Sequence, residues 1–292
     1  MILFLSLTFI LVLTACNGDQ QESQDNKDNE NEKEQKNISI GLDPYDYATV
    51  PAYLSKEILE QEGYEVKIEE GQVGILYEAL ANKEIDAFID IWAPNLQSSY
   101  LKEYEGQFEI AGTLYSEMPL GVAVPAYMED VNSIADLNKY KEKFDNKVYA
   151  IDPGSGMADT TEKMVETYDM KDFEIKNSST AAMLAQVESV MKDKGGIVFN
   201  AWRPHPMFVR MDLKFLDDPK NAWKLDDVQV GVTPDLQEQS PTAYKLFSNM
   251  KLTLDQVEKW IMAIDSEGKT PEELAEAWVE ENQDKVNKWL EK

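Results

Sequence analysis

Residues 38–92 decide the fold and read ISIGLDPYDYATVPAYLSKEILEQEGYEVKIEEGQVGILYEALANKEIDAFIDIW. Apolar residues alternate or run continuously in three short segments, and they recur at helical spacing in the two segments between them. The predicted order is a strand at 38–42, a helix at 49–61, a strand at 64–69, a helix at 73–82 and a strand at 85–91. This rhythm indicates an α/β unit with a largely parallel sheet.

A second unit of the same kind follows further along the chain. Residues 120–124 read as a strand leading out of the first unit, and strands and helices alternate again between 148 and 200. The chain then returns through a strand at 227–232 and ends in helices at about 241–250, 253–265, 271–281 and 283–291. We therefore expect an α/β fold of two lobes with a ligand cleft between them. The expected boundaries are lobe 1 at 38–124, lobe 2 at 125–228, and the second part of lobe 1 with its helical tail at 229–292.

The first 37 residues predict export and attachment. Residues 2–13 are almost entirely apolar, but this run is shorter than the roughly 20 residues that cross a bilayer. It suits a secretory signal peptide at 1–15, and Leu13-Thr14-Ala15-Cys16 resembles the lipobox that precedes a lipidated cysteine. The alternative is an ordinary signal peptide with an incidental Cys16. Residues 17–37 contain no apolar side chain, so 16–37 is expected to be a disordered tether to the outer face of the cell membrane.

Composition limits the function classes. A net charge of −27 argues against a nucleic-acid partner, because few cations are available to neutralise phosphates. His205 is the only histidine and Cys16 the only cysteine, which excludes a zinc site built from such residues. A Ser-His-Asp triad would need His205, which lies between two prolines. We therefore expect a monomeric binding protein without a cofactor, and not an enzyme.

Three aromatic residues follow predicted strand ends in loops that suit a binding site. Tyr45 follows the first strand, Trp92 the third, and Trp202 a strand of the second lobe. Small ligands in such folds bind beyond the carboxyl ends of the strands. Ring faces attract a methylated ammonium group, whose charge is spread over carbons that form no strong hydrogen bonds. Local packing of these rings is the alternative interpretation.

A glycine turn offers a complementary site for an anion. Asp152-Pro153-Gly154-Ser155-Gly156-Met157 follows a predicted strand and begins a helix. Free backbone amides at a helix N-terminus attract a carboxylate. A simple tight turn between strand and helix would explain the same residues.

Residues 38–290 resemble the substrate-binding proteins of glycine betaine ABC importers. The resemblance rests on the glycine turn, on Trp202-Arg203-Pro204-His205 with Asp212-Leu213-Lys214 and Leu216-Asp217-Asp218-Pro219, and on Ile91-Trp92-Ala93-Pro94-Asn95. It implies a type II periplasmic-binding-protein fold, a betaine-type ligand and an ABC permease as partner. It also implies that Trp92, Trp202 and Tyr45 hold the trimethylammonium group, and that the amides of Gly156 and Met157 hold the carboxylate.

The chain departs from the family pattern at positions near the expected ligand. Tyr45 stands where Trp is usual, and Gln97 replaces a His that can assist carboxylate binding. Pro206 follows His205 where a second Trp is common. Gln97 and His205 lie within the two motifs and are candidate ligand-binding residues. Choline, carnitine, proline betaine or a sulfonium analogue remain alternatives to glycine betaine. A lipoprotein sensor and a cell-surface enzyme remain alternatives of a different class.

Overall fold

The computed structural model describes residues 34–153 and 155–292. The predicted signal peptide, Cys16 and residues 16–33 of the predicted tether lie outside the described residues. The strands are β1 Asn37–Leu42, β2 Glu65–Glu70, β3 Ala87–Ala93, β4 Glu109–Met118, β5 Leu120–Pro125, β6 Lys147–Ala150, β7 Glu174–Asn177, β8 Phe199–Trp202, β9 Leu213–Phe215 and β10 Asp226–Val232. They form two sheets of five strands each, which are the cores of two α/β lobes.

The helices lie between and after these strands. They are α1 Asp46–Gln61, α2 Val73–Ala81, α3 Ser98–Glu103, α4 Gly156–Thr167, α5 Thr180–Lys192, α6 Met207–Arg210, α7 Leu236–Gln239, α8 Pro241–Asn249, α9 Leu254–Glu267, α10 Pro271–Glu281 and α11 Gln283–Trp289. A 3-10 helix covers Ile134–Phe144. No helix within the described ranges is both long and apolar enough to cross a membrane.

The first sheet has the strand order β2-β1-β3-β10-β4. Strand β1 pairs parallel with β2 and β3, as expected from the strand–helix alternation. Strand β10 returns from the second lobe and pairs antiparallel with both β3 and β4. The tail closes this lobe, because α9 and α10 pack against α1.

The second sheet has the order β7-β6-β8-β5-β9. Strands β6, β7 and β8 run parallel, while β5 pairs antiparallel with β8 and β9. Leu120 of β5 lies opposite Trp202 of β8, so the end of β8 is held next to the crossing between the lobes. In both lobes, the residues of interest therefore follow strands near the middle of a sheet.

The lobe boundaries differ from the expected ones. The sequence predicts β5 at the end of the first lobe, but the strand lies in the second sheet, so the first crossing is at Pro119. The second crossing precedes Asp226, where β10 already pairs in the first sheet, and not residue 228. Strand β5 is buried along its whole length, and such a strand carries no alternation that assigns it to one sheet or another.

The ordered chain also begins before residue 38. Strand β1 begins at Asn37, and the Gln35 backbone N–H donates to Gln239 at 2.8 Å. The Tyr64 hydroxyl donates to the Glu34 carboxylate, which the Lys36 ammonium also faces. Residues 34–37 therefore belong to the first lobe and not to the predicted tether. Their polar groups are paired with residues of that lobe, and the sequence alone gives no sign of this pairing.

The predicted tail helices are present, and two of them begin at a capping threonine. Thr253 and Thr270 accept from backbone N–H groups of Gln256 and Glu273, and the latter pair completes a capping box. Trp278 and Trp289 stack at 5.2 Å between ring centroids, and Trp260 meets Trp278 edge-on at 6.3 Å. These three indoles are buried in the core of the tail.

Candidate functional site

Two tyrosines lie side by side where the chain passes from β1 into α1. Tyr45 is the N-cap residue of α1 with an extended backbone, and Tyr47 lies in the first turn. Their rings are stacked with centroids 5.3 Å apart and planes within 7°. Tyr47 is buried and Tyr45 is half-buried. Tyr47 is a further aromatic residue that the sequence did not single out, although its two-residue spacing from Tyr45 in a strand-end loop was an available signal.

Trp92, near the end of β3, extends this aromatic surface. Its ring meets Tyr47 edge-on, with centroids 5.8 Å apart and planes at 82°. The indole Nε1–H donates to Asp90 Oδ1 at 2.7 Å, which fixes the orientation of the ring. Trp92 is fully buried in this closed arrangement of the lobes.

Gln97 holds the loop that follows Trp92. Its Oε1 accepts from the Trp92 backbone N–H at 2.9 Å and from the Tyr77 hydroxyl at 2.8 Å. Its Nε2 donates to the Asp90 backbone oxygen at 3.0 Å. These bonds engage both ends of the Gln97 amide within the first lobe, so the side chain braces Trp92.

The second lobe contributes Trp202 and His205. Trp202 ends β8, and its ring meets His205 edge-on with centroids 4.7 Å apart. The Met207 backbone N–H donates to His205 Nδ1 at 3.0 Å. Both rings are buried, with exposed fractions of 2% for Trp202 and 4% for His205.

His205 joins the rings of the two lobes. Its centroid lies 6.0 Å from Tyr45 and 6.1 Å from Tyr47. Trp92, Tyr47, Tyr45, His205 and Trp202 therefore form one continuous group, which we call the aromatic cluster. The structure brings together the three aromatic residues that the sequence predicted and adds Tyr47 to them.

Buried polar atoms without a hydrogen-bond partner lie on these same elements. They include Oδ2 of Asp43 and of Asp90 in the first lobe, and Trp202 Nε1 and His205 Nε2 in the second. Burial raises the pKa of Asp43 to about 7 and, together with the nearby Asp43 carboxyl, holds the pKa of Asp90 well above its usual range. Burial lowers the pKa of His205 to about 3, so its imidazole is neutral at physiological pH. A leftover acceptor or donor in a buried site favours a ligand that satisfies it.

Gly156 makes a contact between the lobes. Its backbone N–H donates to the Leu96 carbonyl oxygen at 3.0 Å. A Cβ at this position would lie 1.9 Å from the Asn95 carbonyl oxygen and 2.4 Å from Ser98 Oγ. The lobes can approach this closely only because residue 156 has no side chain. Met157, the next residue, is buried at the start of α4.

Ion pairs also join the lobes. Arg203 donates to Glu258 of α9 through Nε at 2.7 Å and through a terminal nitrogen at 3.0 Å. Arg210 donates to Asp265 at 2.5 Å and lies 3.5 Å from Asp46. These are the only arginines in the sequence, and both bridge the second lobe to the first.

A family model matches most of the chain. Residues 36–281 match the model of the OpuAC family, described as the substrate binding domain of ABC-type glycine betaine transport system. The match covers both lobes and all five residues of the aromatic cluster. The chain belongs to the OpuAC family. This membership confirms the predicted class, a binding protein and not an enzyme.

This OpuAC-family chain is similar to proteins known by sequence and by structure. It is 36% identical over 153 residues to the glycine betaine/carnitine transport binding protein GbuC of Listeria monocytogenes, a match that covers 51% of each chain. The chain thus spans about half the length of this curated relative. The structure of lactococcal OpuAC with glycine betaine has 29% identity and a TM-score of 0.78, covering 87% of this chain and 99% of that one. A choline-binding protein solved with choline has 27% identity and a TM-score of 0.75, covering 88% and 92%. The predicted type II periplasmic-binding-protein fold is therefore confirmed.

Proposed function

We propose that this protein captures a quaternary-ammonium compound such as glycine betaine outside the cytoplasm and presents it to the permease of an ABC importer. The observation that carries the proposal is the aromatic cluster, in which rings from both lobes meet. A ligand held among rings of both lobes links its own binding to closure of the cleft. This linkage is what a carrier needs if its permease is to distinguish loaded from empty protein.

The rings supply the attraction for the cationic group. A trimethylammonium placed against an aromatic face gains roughly 0.5–2 kcal/mol per ring, and Trp is the best face. We assign this contact to Tyr45, Tyr47, Trp92 and Trp202. Several such contacts contribute a substantial part of the roughly 8 kcal/mol that micromolar affinity requires. Asp43, whose pKa of about 7 leaves its carboxyl group partly ionised at physiological pH, adds a Coulombic attraction for the cation in its ionised form.

The polar end of the ligand needs donors from the second lobe. The family resemblance puts a carboxylate on the amides of Gly156 and Met157 at the start of α4. Because the Gly156 N–H donates to Leu96 in the closed arrangement, we assign Gly156 to lobe contact and keep Met157 as the proposed ligand contact. Gln97 is assigned to bracing Trp92, since its amide is engaged at both ends.

Attachment to the membrane completes the proposal. Cys16 in Leu13-Thr14-Ala15-Cys16 is the proposed lipidation site, after removal of residues 1–15. The polar segment that follows would keep the binding lobes near the permease at the outer face of the cell membrane. Lipidation of Cys16 is the membrane attachment proposed here, and the ligand-binding body acts as a monomer.

Calorimetric titration of residues 34–292 with a ligand panel tests the proposed function. The panel contains glycine betaine, carnitine, proline betaine, choline, a sulfonium analogue and proline. We expect saturable binding of at least one methylated cation and weaker binding of proline. If no methylated compound binds at millimolar concentration, the transport proposal is wrong, and the sensor or enzyme alternatives return.

A further inference from the structure

The position of the proton on His205 follows from its neighbour. Met207 donates its backbone N–H to Nδ1, so Nδ1 is the acceptor of the neutral ring and the proton is on Nε2. Burial and the charge of Arg210 keep the pKa of His205 at about 3, which excludes a second ring proton near pH 7. His205 therefore presents a neutral Nε2–H donor that has no partner in the structure.

Trp202 presents a second donor of the same kind. Its indole Nε1–H is buried and lacks a partner, and its ring contacts His205 edge-on. Trp92 differs, because its Nε1–H is already satisfied by Asp90 at 2.7 Å. The indole of the first lobe can thus offer only its face, whereas that of the second lobe can offer a face and a donor.

The two lobes also differ in the kind of their unsatisfied groups. The first lobe has unpartnered carboxyl oxygens on Asp43 and Asp90, and the second has unpartnered N–H donors on Trp202 and His205. We propose that Trp202 Nε1–H and His205 Nε2–H together receive the oxygen end of the ligand, a carboxylate or a hydroxyl, while its methylated cation lies against the first lobe. This inference rests on the proposed function and adds the orientation of the ligand.

The arrangement compensates for two donors that the family resemblance would supply. Gln97 stands at the position of the assisting His, and its side-chain amide is already hydrogen-bonded to Trp92, Tyr77 and Asp90. The amide of Gly156 is bonded to Leu96. A neutral donor pair can donate to either a hydroxyl or a carboxylate oxygen, so the proposed site suits both kinds of ligand.

A matched pair of ligands isolates this site. Choline and ethyltrimethylammonium have the same cationic head and differ by one hydroxyl, and glycine betaine provides the carboxylate. Titration calorimetry on the wild-type protein should give about tenfold or tighter binding of choline or glycine betaine than of ethyltrimethylammonium. Equal affinities would overturn the donor-pair proposal, whereas the absence of binding by these three and by every other methylated compound of the panel would defeat the proposed function itself.

Two substitutions then locate the discrimination. His205→Phe and Trp202→Phe keep an aromatic ring but remove one donor each, and each should lower the preference for the oxygen-bearing ligand by about fivefold or more. Loss of the Trp202 indole face also weakens the contact with the cationic head. That loss is common to all three ligands, so the preference is measured as the ratio of their affinities in each variant. Trp223→Phe is the control, since it removes another buried and unpartnered indole N–H in the segment between β9 and β10. Equal losses for all ligands, or an unchanged preference in both variants, would contradict the proposal.

Folding of the variants is followed by denaturant melts. Should His205→Phe fail to fold, His205→Gln supplies a shorter donor at the same position and is expected to retain part of the preference. The test then depends on Trp202→Phe, which removes a single N–H donor and should lower the preference for choline or glycine betaine over ethyltrimethylammonium. A preference that survives Trp202→Phe unchanged would remove Trp202 from the site.

Discussion

Arg203 in the second lobe and Glu258 in the first form a two-point contact, with hydrogen bonds of 2.7 and 3.0 Å. The planar guanidinium matches the carboxylate, which adds directional specificity to the attraction. The pair lies between α9 and the loop that carries Trp202 and His205, so it acts on the same surfaces that enclose the aromatic cluster. Closure of the cleft therefore brings this pair together.

Breaking this pair should weaken ligand binding modestly. Arg203→Lys keeps the charge but loses the two-point geometry, and Glu258→Gln removes the negative charge. Because both side chains are partly exposed, we expect about a two- to fivefold loss of affinity, seen mainly as faster ligand release. Stopped-flow fluorescence at low and high salt measures it, and the difference from wild type should shrink at high salt. Lys83→Gln, which breaks an ion pair confined to the first lobe, should leave release unchanged.

Tyr45 provides a test of the ring contacts. Tyr45→Ala should cost about 1–2 kcal/mol of binding, or roughly five- to thirtyfold in affinity, because one ring face is lost. Tyr45→Trp should preserve or tighten binding, since indole is the better face. Titration calorimetry with the tightest ligand of the panel gives both values. Wild-type affinity in Tyr45→Ala would remove this ring from the site.

Trp278→Ala is the matched change outside the aromatic cluster. Its ring is buried between Trp289 and Trp260, so its loss should lower the free energy of unfolding by about 3–5 kcal/mol. The affinity of the folded fraction should stay at the wild-type value. Denaturant melts and titrations on the same samples separate the two effects.

Asp43 should make binding depend on pH. Its pKa of about 7 in the free protein falls when a cation binds nearby, because positive charge favours the ionised carboxyl. Binding therefore releases a proton below pH 7, so affinity should rise with pH toward about 7 and be constant above it. Asp43→Asn should flatten this profile between pH 5.5 and 8 and bind more weakly at pH 8. A wild-type profile that falls with rising pH would contradict this assignment.

Gly156→Ala should prevent full closure of the cleft. The new methyl group would lie 1.9 Å from the Asn95 carbonyl oxygen, a distance that a backbone atom cannot accommodate without movement of a lobe. We expect at least a tenfold loss of affinity with an unchanged denaturation midpoint, and a larger radius of gyration with ligand by small-angle X-ray scattering. Gly121→Ala is the control, since its new methyl would make an ordinary contact with Phe215 at 3.4 Å.

Cys16→Ala tests the proposed anchor. Without the acceptor sulfur, the protein should move from the membrane fraction to the medium or the soluble fraction. Immunoblots of fractionated cells that produce the full chain measure this change. An unchanged membrane fraction, with mature protein detected, would argue against lipidation.

Much of the aromatic cluster could be predicted from the sequence, because its residues lie at the ends of strands. Trp92 and Trp202 stand where buried strands end, and the fold brings such ends to one cleft. Tyr47 was not predicted as a member of the cluster, because an aromatic residue at the start of an amphipathic helix is equally well explained by core packing. Asp43 was not predicted because the sequence of a polar loop gives no sign that the residue is buried in the fold.

The lobe boundary and the role of Gln97 depended on long-range pairing. Strand β4 is partly exposed and mixes polar with apolar residues, so its sequence resembles a loop. The predicted crossing between the lobes therefore falls after residue 124 and not at Pro119. Gln97 could be compared only with the residue it replaces. Its three hydrogen bonds, two of them to backbone atoms of β3, depend on a loop geometry that composition does not encode.

The place of β10 inside the first sheet affects the order in which the lobes can assemble. All five strands of the second sheet lie between Leu120 and Phe215, so a chain emerging N-terminus first already holds that sheet's complete set. The first sheet lacks its link between β3 and β4 until Asp226–Val232 emerges, and its helical cover comes later still. We therefore expect the middle of this chain to mature before its beginning. An export or folding factor would then meet a finished second lobe beside an unfinished first one.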